Sequence, residues 1–245
     1  MSSSVALRLN KISKSFVVSG NKVDVLSGIN LSIKEGEFSC IIGPNGSGKT
    51  TLVKIIAGIE EPSRGDCQKL GKAVYLPQQD SLLPWFTVRE NIELPGKINS
   101  TLTKSVQVDI NKYLKKYKLT KFSDFYPSEI SGGMKQKAAL IRAVVYRPDI
   151  VILDEPFSSL DAITRVETQK MLSDLWLEYK PTILCVTHDI DEAIFLSDRI
   201  FILSKRPGRV VKTLSTGLSR PRSLGDIDSP KALELKKSLY GMLIK

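Results

Sequence analysis

Gly43-Pro44-Asn45-Gly46-Ser47-Gly48-Lys49-Thr50 sets glycines, a lysine and a hydroxyl at the spacing of a phosphate-binding loop. Glycines let such a loop curl so that backbone N–H groups point at phosphate oxygens, and a helix that follows adds partial positive charge. Lys49 then reaches the outer phosphates, and the Thr50 hydroxyl is placed for Mg2+. Further along, the apolar run Ile150-Val151-Ile152-Leu153 ends in Asp154-Glu155-Pro156. In an open α/β sheet ligands bind where strands end, so Asp154 suits the Mg2+ shell and Glu155 suits a general base on an attacking water. His188 follows a second apolar run, 182–187, and is the chain's single histidine, which excludes metal sites built on several histidines. These segments supply the parts of one reaction, transfer of the terminal phosphoryl of ATP to water.

Such residues need elements to hold them. Phe38-Ser39-Cys40-Ile41-Ile42 reads as a buried strand before the loop. Leu52, Ile55 and Ile56 recur at helical spacing after it, and Gly58 is a helix stop. The run 150–153 reads as a central parallel strand. Residues 5–35 read as an antiparallel hairpin around Ser19-Gly20-Asn21, 36–78 and 147–210 as the parallel core, 79–146 as an inserted helical lobe, and 211–245 as a C-terminal extension. The expected fold class is α/β: a phosphate-loop core with a mainly parallel sheet, an N-terminal antiparallel β part and an inserted α-helical part.

Ser131-Gly132-Gly133-Met134, ahead of the Asp154 strand, separates this chain from other phosphate-loop proteins. With it, the sequence resembles the ATP-binding cassette family over nearly its whole length. The resemblance implies that Gly43 to Thr51 binds ATP, and that Ser131, Gly132 and Gly133 bind the γ-phosphate of ATP held by an opposite subunit. A serine N-cap followed by glycines suits an anion at a helix N-terminus. Gln78 matches the glutamine that senses Mg2+ and the attacking water, with its neighbour Gln79 competing for that assignment. Asp161 matches the loop that crosses to the other subunit, and it also reads as a helix cap. His188 matches the histidine that contacts the γ-phosphate. Phe16 resembles the aromatic on which adenine stacks, against the alternative of a core phenylalanine.

Leu83-Pro84-Trp85, Asp154-Glu-Pro-Phe-Ser-Ser-Leu-Asp161 and Lys205-Arg-Pro-Gly-Arg209 resemble one branch of the family, the ATPases of nitrate, sulfonate and taurine importers. That branch implies an ATP-hydrolysing subunit working as two copies around two ATP molecules head to tail, with Mg2+. The implied partners are transmembrane permease subunits and, indirectly, an extracytoplasmic solute-binding protein. Leu83, Pro84 and Trp85 would pack near the permease, against the alternative of ordinary core. The stretch between Gly58 and Gln78 looks shorter than the family's usual one.

At 245 residues the chain accommodates one such unit. No apolar run is long enough to span a bilayer, and no signal region opens the chain, so a protein peripheral to the cytoplasmic face of the membrane is expected. Cys40, Cys67 and Cys185 are too few and too scattered for a disulfide framework. The net charge of +10 suits an anionic membrane surface or nucleic acid equally. Lys112, Lys115, Lys116, Lys118 and Lys121 read as the solvated face of a helix whose apolar stripe is Val106, Ile110, Tyr113, Leu114 and Tyr117. A nucleic-acid-associated cassette ATPase is the alternative that this charge supports, but the chain lacks the coiled coils or paired cassettes of such relatives, and no nucleic acid is expected. A small-molecule kinase is opposed by Ser131-Gly132-Gly133.

Overall fold

The computed structural model describes residues 4–78 and 82–243, so Gln79 lies outside the described residues. In chain order the elements are β1 (Val5–Val18), β2 (Asn21–Lys34), β3 (Phe38–Ile42), α1 (Lys49–Ala57), β4 (Arg64–Lys69), β5 (Ala73–Leu76), α2 (Val88–Ile98), α3 (Lys104–Lys116), α4 (Gly132–Val144), β6 (Ile150–Asp154), α5 (Ala162–Tyr179), β7 (Thr182–Val186), α6 (Ile190–Leu196), β8 (Arg199–Leu203), β9 (Val210–Ser215) and α7 (Pro230–Leu243).

Ser19 and Gly20 take φ of +50° and +79°, as a two-residue hairpin turn with the right twist demands. Val18 therefore faces Asn21, and the β1–β2 ladder runs back to Val5 opposite Lys34. Both strands lie within the hairpin expected over 5–35, and register shifts between Leu9 and Ser15 interrupt their alternation. The polar strand β4 pairs with the other edge of β1, giving the order β2-β1-β4. Residues 64–69 thus leave the parallel core to which the sequence assigns them. Their burial is too slight to leave a pattern, with only Cys67 half-buried. Gly65 sits at φ +90°, where a Cβ would fall 2.4 Å from the Asn10 carbonyl oxygen, so this crossing depends on glycine.

The larger sheet has the order β5-β6-β7-β3-β8-β9, parallel except for β9. Strands β3, β6 and β7 are buried at every residue, as expected for strands covered on both faces. Along β6 the faces alternate. Ile150 and Ile152 pack with α1 and the antiparallel sheet, whereas Val151 and Leu153 pack with the helical side. Because β7 lies between β6 and β3, the segments after all three strands emerge at one edge: Val186 pairs with both Asp154 and Ile41.

The helical lobe is anchored by caps and buried polar groups. The Thr87 hydroxyl accepts from the Glu90 N–H at 3.2 Å and the Glu90 carboxylate accepts from the Thr87 N–H at 2.8 Å, a reciprocal cap on α2. Asn91, fully buried, accepts from the Leu83 N–H at 2.7 Å and donates to the carbonyls of Leu83 and Phe86 at 3.0 and 2.9 Å. That clamp fixes the turn from which Trp85 projects. Helix α3 buries Ile110, Tyr113 and Leu114. Its lysine face is only partly solvated, since Lys112 pairs with Glu178 and Lys116 with Asp174 on α5.

Candidate functional site

The phosphate-loop segment joins β3 to α1, with Gly46 at φ +75° and Gly48 at φ +90°. A Cβ on Gly48 would also fall 2.7 Å from Leu26 Cδ2. No side chain caps α1, so its first-turn N–H groups are left to a ligand or solvent. Lys49 is buried and donates to the carbonyls of Gly43 and Pro44 at 2.8 and 3.1 Å. Burial lowers its ammonium pKa, against the pull of Glu155 and Asp154. Ser47 Oγ is buried without a hydrogen-bond partner among the described residues. Uncapped N–H groups, a desolvated ammonium and an unpartnered hydroxyl fit a polyphosphate.

Beside the loop, Thr50 Oγ1 donates to Asp154 Oδ1 at 3.4 Å and Tyr75 OH donates to Asp154 Oδ2 at 3.1 Å. Asp154 is buried, which pushes its carboxyl pKa up, while the bonds from Tyr75 and Thr50 oppose the rise. A cation here would relieve that penalty. The Asp154 carboxylate and the Thr50 hydroxyl are paired hard oxygens, with Gln78 on the same cleft, and Mg2+ is usually held by one or two carboxylates together with substrate phosphates.

Glu155 occupies the left-handed region at φ +47°, uncommon for a residue with a side chain. Its N–H donates to the Val186 carbonyl at 2.9 Å and its own carbonyl accepts from Ser158 Oγ at 3.0 Å, so neighbouring strand and loop hold the strained conformation. Gln78 Nε2 and His188 Nδ1 each lie 3.2 Å from Glu155 Oε2. One carboxylate oxygen is thereby met by two groups from separate elements at the mouth of the cleft.

The cleft holds ≈ 760 Å³ and is lined by Gly43, Pro44, Asn45, Gly46, Gly48, Lys49, Thr50, Thr51, Gln78, Glu155 and His188, all singled out from sequence. Val25, Arg206 and Leu243 complete the lining and were not singled out as site residues; nor was Tyr75, which braces Asp154. In the sequence Arg206 stood only within the branch segment Lys205-Arg-Pro-Gly-Arg209 and among the surplus positive charge, with no site role. It reaches the cleft because its loop lies against the phosphate loop: a Cβ on Gly208 would fall 2.1 Å from the Ser47 carbonyl oxygen. Nothing local in the sequence marks Leu243, which the end of α7 brings in.

Phe16, Ser131, Gly132, Gly133 and Asp161 do not line this cleft. The Phe16 ring is half-buried against the β1–β2 core with Lys14 Nζ 4.9 Å from its centroid. Ser131 Oγ caps α4, accepting from the Met134 N–H at 3.3 Å. Gly133 leaves no room for a side chain, since a Cβ would fall 2.2 Å from Thr164 Cγ2 on α5. Asp161 Oδ1 caps α5, accepting from the N–H groups of Ile163 and Thr164 at 3.1 and 3.0 Å. Ser131 and Gly132 are exposed. Leu83 is half-buried, whereas Pro84 and Trp85 are exposed, so Trp85 is not core.

Residues 26–158 match the family described as ABC transporter. An aliphatic sulfonates import ATP-binding protein of Bacillus cereus is 38% identical, over 98% of this chain and 99% of its own length. A nitrate import ATP-binding protein of Synechocystis is 37% identical, over 92% of this chain and 86% of its own length. Among solved structures, a dimeric ATP-binding cassette in a post-hydrolysis state with ADP and Pi aligns with a TM-score of 0.74 at 31% identity, over 85% of this chain and 98% of the other.

Proposed function

The chain belongs to the ABC transporter family, and we propose that two copies of it bind and hydrolyse ATP to drive uptake of a small solute through a membrane permease. The observation that carries the mechanism is the convergence of Gln78 and His188 on one oxygen of Glu155, beside a phosphate loop and a buried aspartate. Lys49 exchanges its contacts with the Gly43 and Pro44 carbonyls for the outer phosphates. Thr50, Asp154 and Gln78 would hold Mg2+, which would supply neutralising charge to the phosphate oxygens. Glu155 accepts a proton from water as the water oxygen bonds to the γ-phosphorus and the bond to the bridging oxygen breaks, releasing ADP and phosphate. His188 positions Glu155 and meets the γ-phosphate.

Ser131, Gly132 and Asp161 face solvent away from the cleft. In this reading they complete the site of a second copy, and the dimeric cassette relative supports that arrangement. The sulfonate and nitrate import relatives point to a small oxyanion as cargo. No helix among the described residues is long and apolar enough to cross a membrane, so attachment to the cytoplasmic face would run through the permease, with Trp85 and Pro84 at the contact. A solute-binding protein on the opposite side would deliver the cargo. The nucleic-acid alternative loses part of its basis, because Lys112 and Lys116 are paired with carboxylates of α5.

The test is Glu155→Gln. It should retain ATP binding, lose about 10²–10⁴-fold in hydrolysis and accumulate as an ATP-bound dimer, whereas Lys49→Ala should weaken ATP binding itself. Near wild-type turnover by Glu155→Gln would remove Glu155 from the role of base.

A further inference from the structure

Glu192 is 4% exposed, lies in the first turn of α6 and has no part in the chemistry described above. Its Oε2 accepts from Gln169 Nε2 at 3.3 Å, and Cys185 Sγ lies 4.0 Å from its Oε1. Its backbone N–H donates to Asp189 Oδ1 at 3.1 Å, and the Asp189 N–H donates in turn to Thr187 Oγ1 at 3.0 Å. Gln169 belongs to α5, the helix that Asp161 caps, while Thr187 and Asp189 flank His188. Glu192, Glu155 and His188 line one small, partly open crevice of ≈ 10 Å³, with Arg165, Thr187 and Asp189 in its wall. That volume admits no more than a single water, so Glu192 stands directly behind the groups that face the cleft.

We propose that Glu192 is a positioning residue for hydrolysis: with its carboxyl on Gln169 and its backbone N–H on Asp189 it ties α5 to the 187–189 segment, and from the shared crevice it sets how His188 and Glu155 face the cleft. The role rests on the ATPase reading. A movement of the Asp161 loop would be carried along α5 to Gln169, and through Glu192 to His188, without any contact between Glu192 and nucleotide.

The charge state belongs to the device. Burial pushes the Glu192 carboxyl up to about 8 and Asp189 adds to the rise, whereas Thr187, Gln169 and Arg165 oppose it. The charged or titratable groups around it are Arg165 on α5, the Cys185 thiol on β7, Asp189 capping its own helix, and Glu155 and His188 across the crevice. At neutral pH Glu192 is therefore mainly an uncharged acid. Above about 8 it becomes a further anion beside Asp189 and Glu155, and the geometry around His188 loosens.

His188 is the only histidine in the chain, so the imidazole NMR signals of full-length protein without an affinity tag report it directly. The experiment compares wild type, Glu192→Gln and Glu192→Ala by His188 titration, ATP affinity, and kcat and KM across the alkaline range. The wild-type imidazole signals should shift with an inflection near the Glu192 value of about 8, absent in Glu192→Gln. Glu192→Gln should match wild-type kcat at neutral pH and hold it where the wild type declines. Glu192→Ala should lose roughly tenfold in kcat with KM changed less than about twofold, the signature of misplaced rather than missing groups. If Glu192→Ala does not fold, Glu192→Gln decides alone. A His188 titration curve and an alkaline limb both unchanged by Glu192→Gln overturn the proposal. A wild-type protein without ATPase activity would instead refute the ATPase reading, while the imidazole titration would still report whether Glu192 acts on His188.

Discussion

The chain's two tryptophans form an internal control for how it meets its partner. Trp85 is 65% exposed, and its ring contact is with Phe86, centroids 6.4 Å apart. Trp176 is 4% exposed, lies 6.1 Å from the Phe38 ring, and carries Arg220 and Lys180 over its ring at 4.0 and 3.7 Å. Truncating a buried tryptophan to alanine costs about 3–5 kcal/mol. With roughly a third of its surface covered, Trp85 should cost about 1–1.5 kcal/mol by the same scaling. In a domain of this length each kcal/mol moves Tm by about 2–4 °C, so Trp176→Ala should lose about 6–20 °C and Trp85→Ala about 2–6 °C. Calorimetry measures both shifts. Trp176→Phe leaves Trp85 as the sole tryptophan, whose emission should be red-shifted and quenched by iodide. Basal ATPase of Trp85→Ala should stay near wild type, while ATPase stimulated by the reconstituted permease falls. A Tm loss from Trp85→Ala as large as that from Trp176→Ala would refute the burial argument, and full stimulation with unchanged stability would refute the interface.

Gly133→Ala should impair hydrolysis and destabilise the protein by about 1–3 kcal/mol through overpacking, because the new methyl meets Thr164 Cγ2 at 2.2 Å. Thr164→Ser removes that methyl, so the double variant should recover in both unfolding and ATPase assays. Linkage gives Glu192 a defined pH signature. Its folded pKa of about 8 lies above the ordinary value of 4.5, so folding holds the proton more tightly and wild-type stability falls with pH between those values. Glu192→Gln should therefore gain stability relative to wild type across that window, by on the order of a few kcal/mol in denaturant titrations, with no further gain above it. Mixing Ser131→Arg protein with Lys49→Ala protein should leave at most one intact site per mixed dimer. Turnover of the wild type should also rise faster than linearly with protein concentration, which dilution assays measure.

Much of the site was legible in the sequence because its chemistry is local. A loop that cradles phosphate needs small residues next to a lysine and a hydroxyl, and a buried strand that ends in carboxylates needs an unbroken apolar run. Both constraints act on consecutive residues, so β3, α1 and β6 fall where the residues place them. Ser131 and Asp161 were equally visible as caps, since helix caps are set by neighbours in the chain. Strand β4 was not legible, because a strand held by its backbone ladder with almost nothing buried leaves no apolar pattern. The exposure of Trp85 was undecidable for a related reason: Pro84-Trp85 reads alike in a core and on a surface, and the buried amide of Asn91 is what turns the segment outward. What the sequence determined is which groups are suited to the proposed chemistry. Only the tertiary structure decided which of them meet in one copy, because Gln78, Glu155 and His188 come from three strand ends that the order β5-β6-β7 sets side by side, and strand order depends on long-range packing that no local pattern encodes.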